Sequence, residues 1–249
     1  MDETAPGSEE LRERLAEVRR LIETSARKAG RDPAEIKLVA VSKTHPTETL
    51  RRAIEVGVND LGENRVQEAD GKICELGRGS ARWHLIGHLQ ANKARRAVAL
   101  FDVIHSLDSA SLARRLDRLC EEAGRDELSV LIQVDLGSEA TKSGVSEEEL
   151  PELVKAVGAC AHLRLTGLMT LPPFFDDTEL VRPYFRRLRE LRNEFIERAA
   201  FGDSQGELSM GMSHDYEVAI EEGATYVRIG TAIFGERRGP VTLHLKDSK

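Results

Sequence analysis

From about residue 36 onward the chain repeats one pattern of polarity. A short run of aliphatic and β-branched residues gives way to a polar turn, and then to a longer stretch in which apolar residues recur every three or four positions. The apolar runs predict strands over 36–42, 60–62, 83–87, 103–106, 130–136, 164–170, 207–210 and 226–230. The periodic stretches predict helices beginning near Thr47, Val66, Asn92, Ser109, Ser146, Val181 and Asp215. Ahead of this series, Ser8 followed by Glu9 and Glu10 reads as a helix start, and Leu11, Leu15, Val18 and Ile22 mark one face of a helix ending near Gly30. Residues 1–7 read as a loose tail and 8–249 as a single domain.

Strands that alternate with helices pair in parallel, because parallel neighbours need a crossover between them. Eight such units in a chain of 249 residues fit a (β/α)8 barrel, which takes about 250 residues, with one additional N-terminal helix. No Gly-x-Gly-x-x-Gly follows the first strand, which counts against an open dinucleotide-binding sheet.

Composition narrows the class. Hydrophobic residues make up 40% and charged residues 32%, as in a soluble globular protein. The net charge of −7 argues against a nucleic-acid or anionic-membrane surface. No apolar run approaches a membrane span, and the acidic start Met1-Asp2-Glu3 is unlike a signal peptide. Cys74, Cys120 and Cys160 are odd in number and scattered, which points to reduced thiols in a cytoplasm. Arg186, Arg187, Arg189 and Arg192 interleave with Leu188, Leu191 and Phe195, the pattern of a basic outer face over an apolar stripe.

In a barrel of this kind, ligand chemistry gathers at the carboxyl ends of the strands. Lys43 stands at the end of the first. A lysine in a partly dry site loses ammonium hydration, becomes more nucleophilic and forms imines with carbonyl compounds; taken alone, such a residue is more often a solvated strand cap. The ends of strands seven and eight, Ser209-Met210-Gly211-Met212-Ser213 and Arg228-Ile229-Gly230-Thr231-Ala232, offer small residues, hydroxyls and main-chain amides where barrels build phosphate sites. Ser213 and Thr231 each bring a hydroxyl, and Gly230 permits close approach. Arg228 shares strand parity with Gly230, and its permanent charge requires an acceptor, either a ligand atom or a neighbouring carboxylate. A lysine that forms imines, together with a phosphate site, suits a ligand carrying an aldehyde and a phosphate. Pyridoxal 5′-phosphate (PLP) is one such ligand and the sugar phosphate of an aldolase is another. His84 and His88 have a metal-binding spacing only on a helix, and no third ligand accompanies them. His214-Asp215 beside Ser213 lacks a nucleophile elbow. Met169 and Met210 read as packing residues, and Met212 as part of a pocket wall.

Several stretches together carry a family resemblance. They are Val41-Ser42-Lys43-Thr44, Gly62-Glu63-Asn64-Arg65-Val66-Gln67-Glu68, Trp83-His84-Leu85-Ile86-Gly87, Leu89-Gln90-Ala91-Asn92-Lys93, Lys142-Ser143-Gly144, Gly167-Leu168-Met169, Leu208-Ser209-Met210-Gly211-Met212-Ser213 and Val227-Arg228-Ile229-Gly230-Thr231-Ala232-Ile233-Phe234-Gly235. Running from the first strand to the last, they make the chain resemble the pyridoxal-phosphate homeostasis protein family, single-domain relatives of the alanine racemase barrel. The resemblance implies that Lys43 holds PLP as an internal aldimine and that Ser213, Gly230 and Thr231 bind its phosphate. It also implies that Arg228 lies near the pyridine nitrogen and that Asn64 lines the pocket near the ring. The implied role is in intracellular vitamin B6 and amino-acid homeostasis, as a carrier or regulator rather than a vigorous enzyme. PLP-dependent enzymes would be the recipients of the cofactor, and the protein would be a monomer. An amino-acid racemase and a Schiff-base aldolase are the alternatives. Full racemases add a β-rich domain bearing a second, tyrosine base, whereas only a short polar tail follows Phe234 here. Asp135 departs from the family, which often has asparagine there, and would alter the charge of the pocket.

Overall fold

The computed structural model describes residues 6–137, 143–202 and 204–235. Lys142, most of the tail expected over 1–7, and the polar end after Gly235 lie outside the described residues. Among the described residues, eight parallel strands pair in chain order. They are β1 (Lys37–Val41), β2 (Asp60–Glu63), β3 (Arg82–Leu85), β4 (Val103–Leu107), β5 (Leu128–Gln133), β6 (Leu163–Met169), β7 (Glu207–Met212) and β8 (Tyr226–Ile229). β8 pairs back onto β1, matching Lys37 with Tyr226 and Ala40 with Ile229, so the sheet closes into the expected (β/α)8 barrel.

The helices are α1 (Ser8–Lys28), α2 (Thr47–Glu55), α3 (Val66–Leu76), α4 (Ala94–Leu100), α5 (Ala110–Glu122), α6 (Leu150–Gly158), α7 (Arg182–Glu197), α8 (Tyr216–Glu221) and α9 (Thr231–Phe234). α1 buries Leu11, Leu15, Val18, Ile22 and Ala26 on one face and packs against α8, α9 and α2. Since β8 is followed by the four-residue α9, α1 fills the place of a full helix in the outer ring between α8 and α2. The additional N-terminal helix is thus part of the barrel's outer layer.

Local differences from the sequence reading have local causes. Gly7, not Ser8, occupies the cap position of α1, and no side chain caps it; Glu9 and Glu10 in the first turn and Arg27 and Lys28 in the last suit the helix dipole instead. β5 stops at Gln133, although Val134 N still donates to Met169 O at 2.8 Å; Val134 also makes an isolated parallel bridge to Val145. α6 starts at Leu150, after a turn in which the Ser146 hydroxyl accepts from Glu149 N at 3.3 Å. α5 begins as its sequence implies, with Ser109 Oγ accepting from Leu112 N at 3.3 Å.

Packing forms two zones. Between strands and helices lies the main apolar core, which includes Leu50, Leu61, Trp83, Leu85, Ile104, Leu116 and Phe185. Inside the barrel, Val39, Val103, Leu131, Met169 and Tyr226 form a separate small cluster, contributed by β1, β4, β5, β6 and β8. The buried polar residues His84, His105, Gln133, Ser209 and Arg228 come from the same set of strands together with β3 and β7. The arginines of α7 are not simply a solvated face, because Arg182, Arg186 and Arg189 reach the buried Glu222 carboxylate at 3.1, 3.2 and 3.0 Å. Burial would raise Glu222, but these guanidinium groups outweigh it and hold the carboxyl below its usual range.

Gly211 decides how α8 meets β7. Its φ is 88°, and an added Cβ would lie 2.6 Å from Ala219 Cβ and 2.9 Å from Tyr216 Cα. Gly211→Ala is therefore expected to cost about 2 kcal/mol or more. Urea denaturation should show a lower midpoint with an unchanged slope; an unaltered midpoint would contradict this packing.

Candidate functional site

The mount of Lys43 is built by the turn after β1. His45 N donates to Ser42 O at 3.2 Å, closing a tight turn that contains Lys43 and Thr44. Thr44 has φ 68°, a left-handed conformation that disfavours a β-branched residue. A buried ion cluster from β2 and α3 holds it there. Thr44 N donates to the Glu68 carboxylate. Lys72 Nζ donates to Ser42 O at 2.8 Å, to Glu63 Oε1 at 2.7 Å and to Glu68 Oε1 at 2.7 Å. Ser42 Oγ adds a bond to Glu63 Oε1 at 2.6 Å. Burial pushes the Glu63 carboxyl up, against the pull of Lys72. Burial would also raise Glu68, but Lys72 and the Thr44 N–H prevail and hold it low. The peptides on both sides of Lys43 are thereby fixed, while its half-buried side chain lines a cavity of about 450 Å³.

The β7 and β8 exits join directly, with Gly230 N donating to Ser213 Oγ at 3.3 Å. Ser213 is half-buried, and Thr231 is exposed as the first residue of α9. Asp215 Oδ1 accepts from Met212 N at 2.6 Å and shapes the β7 loop, with burial raising the Asp215 carboxyl. Gly230 has φ −114°, open to any residue; its need is for space, since a Cβ would stand 3.3 Å from both the Val41 side chain and Val41 O. On the other side of β1, a Cβ at Gly87 would meet Asn64 O at 2.3 Å, so the β3 exit packs straight onto the backbone carrying Asn64.

Arg228 is 3% exposed. Its Nη1 donates to Ser209 Oγ at 2.6 Å and its Nη2 to Thr170 O at 3.0 Å. Burial lowers its pKa to about 10, with Asp215 acting in the opposite direction, so it remains a cation at neutral pH. Its hydrogen-bonding partners are a hydroxyl and a main-chain carbonyl, where the sequence suggested a ligand atom or a carboxylate.

Lys43, Asn64, Met212, Ser213, Arg228, Gly230 and Thr231, chosen from the sequence, all line this one cavity. Val41, Ile86 and Leu171 add apolar wall. The structure also brings in residues the sequence reading passed over. His45 lines the cavity with its ring 4.9 Å from that of Phe234, although Thr44-His45-Pro46 signals only a turn. Phe174, 73% exposed, stands at the wall with its ring 5.3 Å from that of His214. Asp135 is not among the lining residues; its Oδ1 accepts from Gly137 N at 3.1 Å. The cavity thus combines a lysine amine on a fixed turn, the Ser213 and Thr231 hydroxyls and a buried guanidinium, with apolar walls. This donor set fits a flat ligand with a carbonyl group and an anionic group.

Residues 14–238 match the family described as alanine racemase, N-terminal domain. The pyridoxal phosphate homeostasis protein of Aquifex aeolicus is 45% identical over 228 residues, covering 91% of this chain and 98% of that protein. The protein of the same name from Escherichia coli K12 is 43% identical over 226 residues, covering 90% and 95%. The solved structure of PipY from Synechococcus elongatus PCC7942 with PLP bound is 38% identical, with a TM-score of 0.76, covering 90% of this chain and 100% of that one. The chain belongs to the alanine racemase N-terminal domain family, among the pyridoxal phosphate homeostasis proteins.

Proposed function

We propose that this protein binds PLP at the carboxyl end of its barrel through a covalent imine to Lys43. Its role is in intracellular PLP and amino-acid homeostasis, as a carrier or regulator. The observation that carries this reading is the convergence of Lys43, the Ser213–Gly230 junction and buried Arg228 on one cavity. The relative whose structure holds PLP supports the choice of ligand.

Each residue has a definable part. Lys43 supplies the amine on a turn whose backbone is fixed from both sides. Ser213, Thr231 and the adjoining main-chain N–H groups receive the phosphate. Asn64 and Met212 flank the ring. Arg228 stands toward the pyridine nitrogen, where its permanent charge opposes protonation of the ring. PLP bound in this way is a weak electron sink, which favours holding the cofactor over carbanion chemistry. The proposal extends to a cytoplasmic monomer that passes PLP to enzymes requiring it.

The protein incubated with PLP should turn yellow, and borohydride should abolish the imine band and leave a pyridoxyl group on the peptide containing Lys43. A protein that stays colourless, or a label on another lysine, would contradict the assignment. The double substitution Ser213→Ala with Thr231→Ala should weaken PLP binding about 10- to 100-fold, while pyridoxal without phosphate is affected little. Equal losses for both ligands would remove these residues from the phosphate site. Rapid exchange of the α-proton of alanine for deuterium, lost in Lys43→Ala, would favour a racemase instead.

A further inference from the structure

Arg228 is one end of a longer buried chain. Ser209 Oγ, which accepts from Arg228 Nη1 at 2.6 Å, lies 2.8 Å from His105 Nδ1. His105 Nε2 lies 2.9 Å from His84 Nδ1, and His84 Nε2 lies 2.8 Å from Asp60 Oδ1. Asp60 is the first residue of β2, at the amino end of the barrel, whereas Arg228 lines the cavity at the carboxyl end. The chain therefore runs through the barrel interior from one end to the other. His84, His105 and Ser209 are fully buried, and the Asp60 side chain is 23% exposed.

The direction of every bond follows from its two ends. A guanidinium only donates, and an ionised carboxylate only accepts. With Arg228 donating to Ser209 Oγ, the Ser209 hydroxyl proton goes to His105 Nδ1. His105 then carries its proton on Nε2 and donates to His84 Nδ1. His84 likewise carries its proton on Nε2 and donates to Asp60. All groups are satisfied with both rings neutral. The reverse direction would require a proton on the Asp60 carboxylate and leave the Ser209 hydroxyl proton without an acceptor in the chain. The surrounding charges fit the neutral state. Burial lowers both histidines, His105 strongly, where His84, Arg228 and Arg82 act in the same sense. Asp60 and Asp102 oppose this at His84. Tyr226 packs edge-on against both rings at 5.7 and 5.2 Å, with Lys37 Nζ 4.8 Å from its own ring centre.

We propose that Asp60, His84, His105 and Ser209 are positioning residues that fix Arg228, through this one-way chain, as a donor aimed into the cavity. The part concerning PLP rests on the function proposed above; the direction of the chain does not. With Nη1 committed to Ser209 and Nη2 to Thr170 O, the guanidinium plane has one orientation, and its remaining N–H groups are left for the ligand.

Nitrogen-15 NMR of the imidazole rings in the protein without PLP, between about pH 6 and 8, tests the chain itself. Both His84 and His105 should be neutral with the proton on Nε2. A proton on Nδ1 in either ring, or a charged ring, would overturn it. Ser209→Ala and His105→Leu test the positioning. Each should raise the PLP dissociation constant on the order of tenfold. Each should also lower the pH at which the imine band titrates, since a loosened Arg228 lets the pyridine ring take up a proton. Folded variants with wild-type affinity and an unshifted pH profile would overturn the positioning role. If His105→Leu fails to fold, Ser209→Ala and the wild-type tautomers decide. Wild-type protein that takes up no PLP would instead overturn the cofactor reading, and with it this use of the chain, while the tautomers still report the chain's direction.

Discussion

A buried guanidinium with no carboxylate in hydrogen-bonding contact among the described residues is the constraint around which the barrel interior is arranged. Removing such a charge from water costs several kcal/mol unless its donors are met. Arg228 meets that demand with Ser209 and Thr170 O, and Ser209 in turn engages His105. Polar residues therefore extend down the barrel beside a small apolar cluster in which Tyr226 packs against both histidine rings. The cavity above inherits a cation whose place is fixed from below.

The second buried ion cluster serves the amine. Lys72, Glu63 and Glu68 hold the peptides around Lys43, including a threonine in a left-handed conformation. Close backbone approaches complete the rim, where Gly230 crosses Val41 and Gly87 lies on Asn64. The cavity is shaped by such contacts and by ion pairs set beneath the loops that carry Lys43, Asn64 and Ser213. Outside the barrel, α1 takes the place that a longer helix after β8 would fill.

The barrel was legible because its signals are local. Alternating strand and helix periods located every strand to within a few residues, and strand ends marked Lys43, Ser213, Arg228, Gly230 and Thr231. The buried partners were not legible, because they are remote in sequence. His84 lies 24 residues from Asp60 and 21 from His105, and His105 lies 104 from Ser209. No periodicity links such positions. Lys72 resembles an ordinary polar helix residue four places after Glu68, and only the fold turns it inward. The end of β5 at Gln133 was not legible either, because the β-rich pattern of residues 130–136 continues past it, and the bridge from Val134 to Val145 joins positions that no periodicity links.

The central claim concerns where the ligand's functional groups meet the protein. A crystal structure of this protein with PLP tests it most directly. The account predicts continuous density from Lys43 Nζ to the cofactor's aldehyde carbon, the phosphate between Ser213 and Thr231, and an Arg228 N–H directed at the pyridine nitrogen. A cofactor bound away from Lys43, or one whose ring nitrogen faces another residue while Arg228 stays on Ser209 and Thr170, would contradict it.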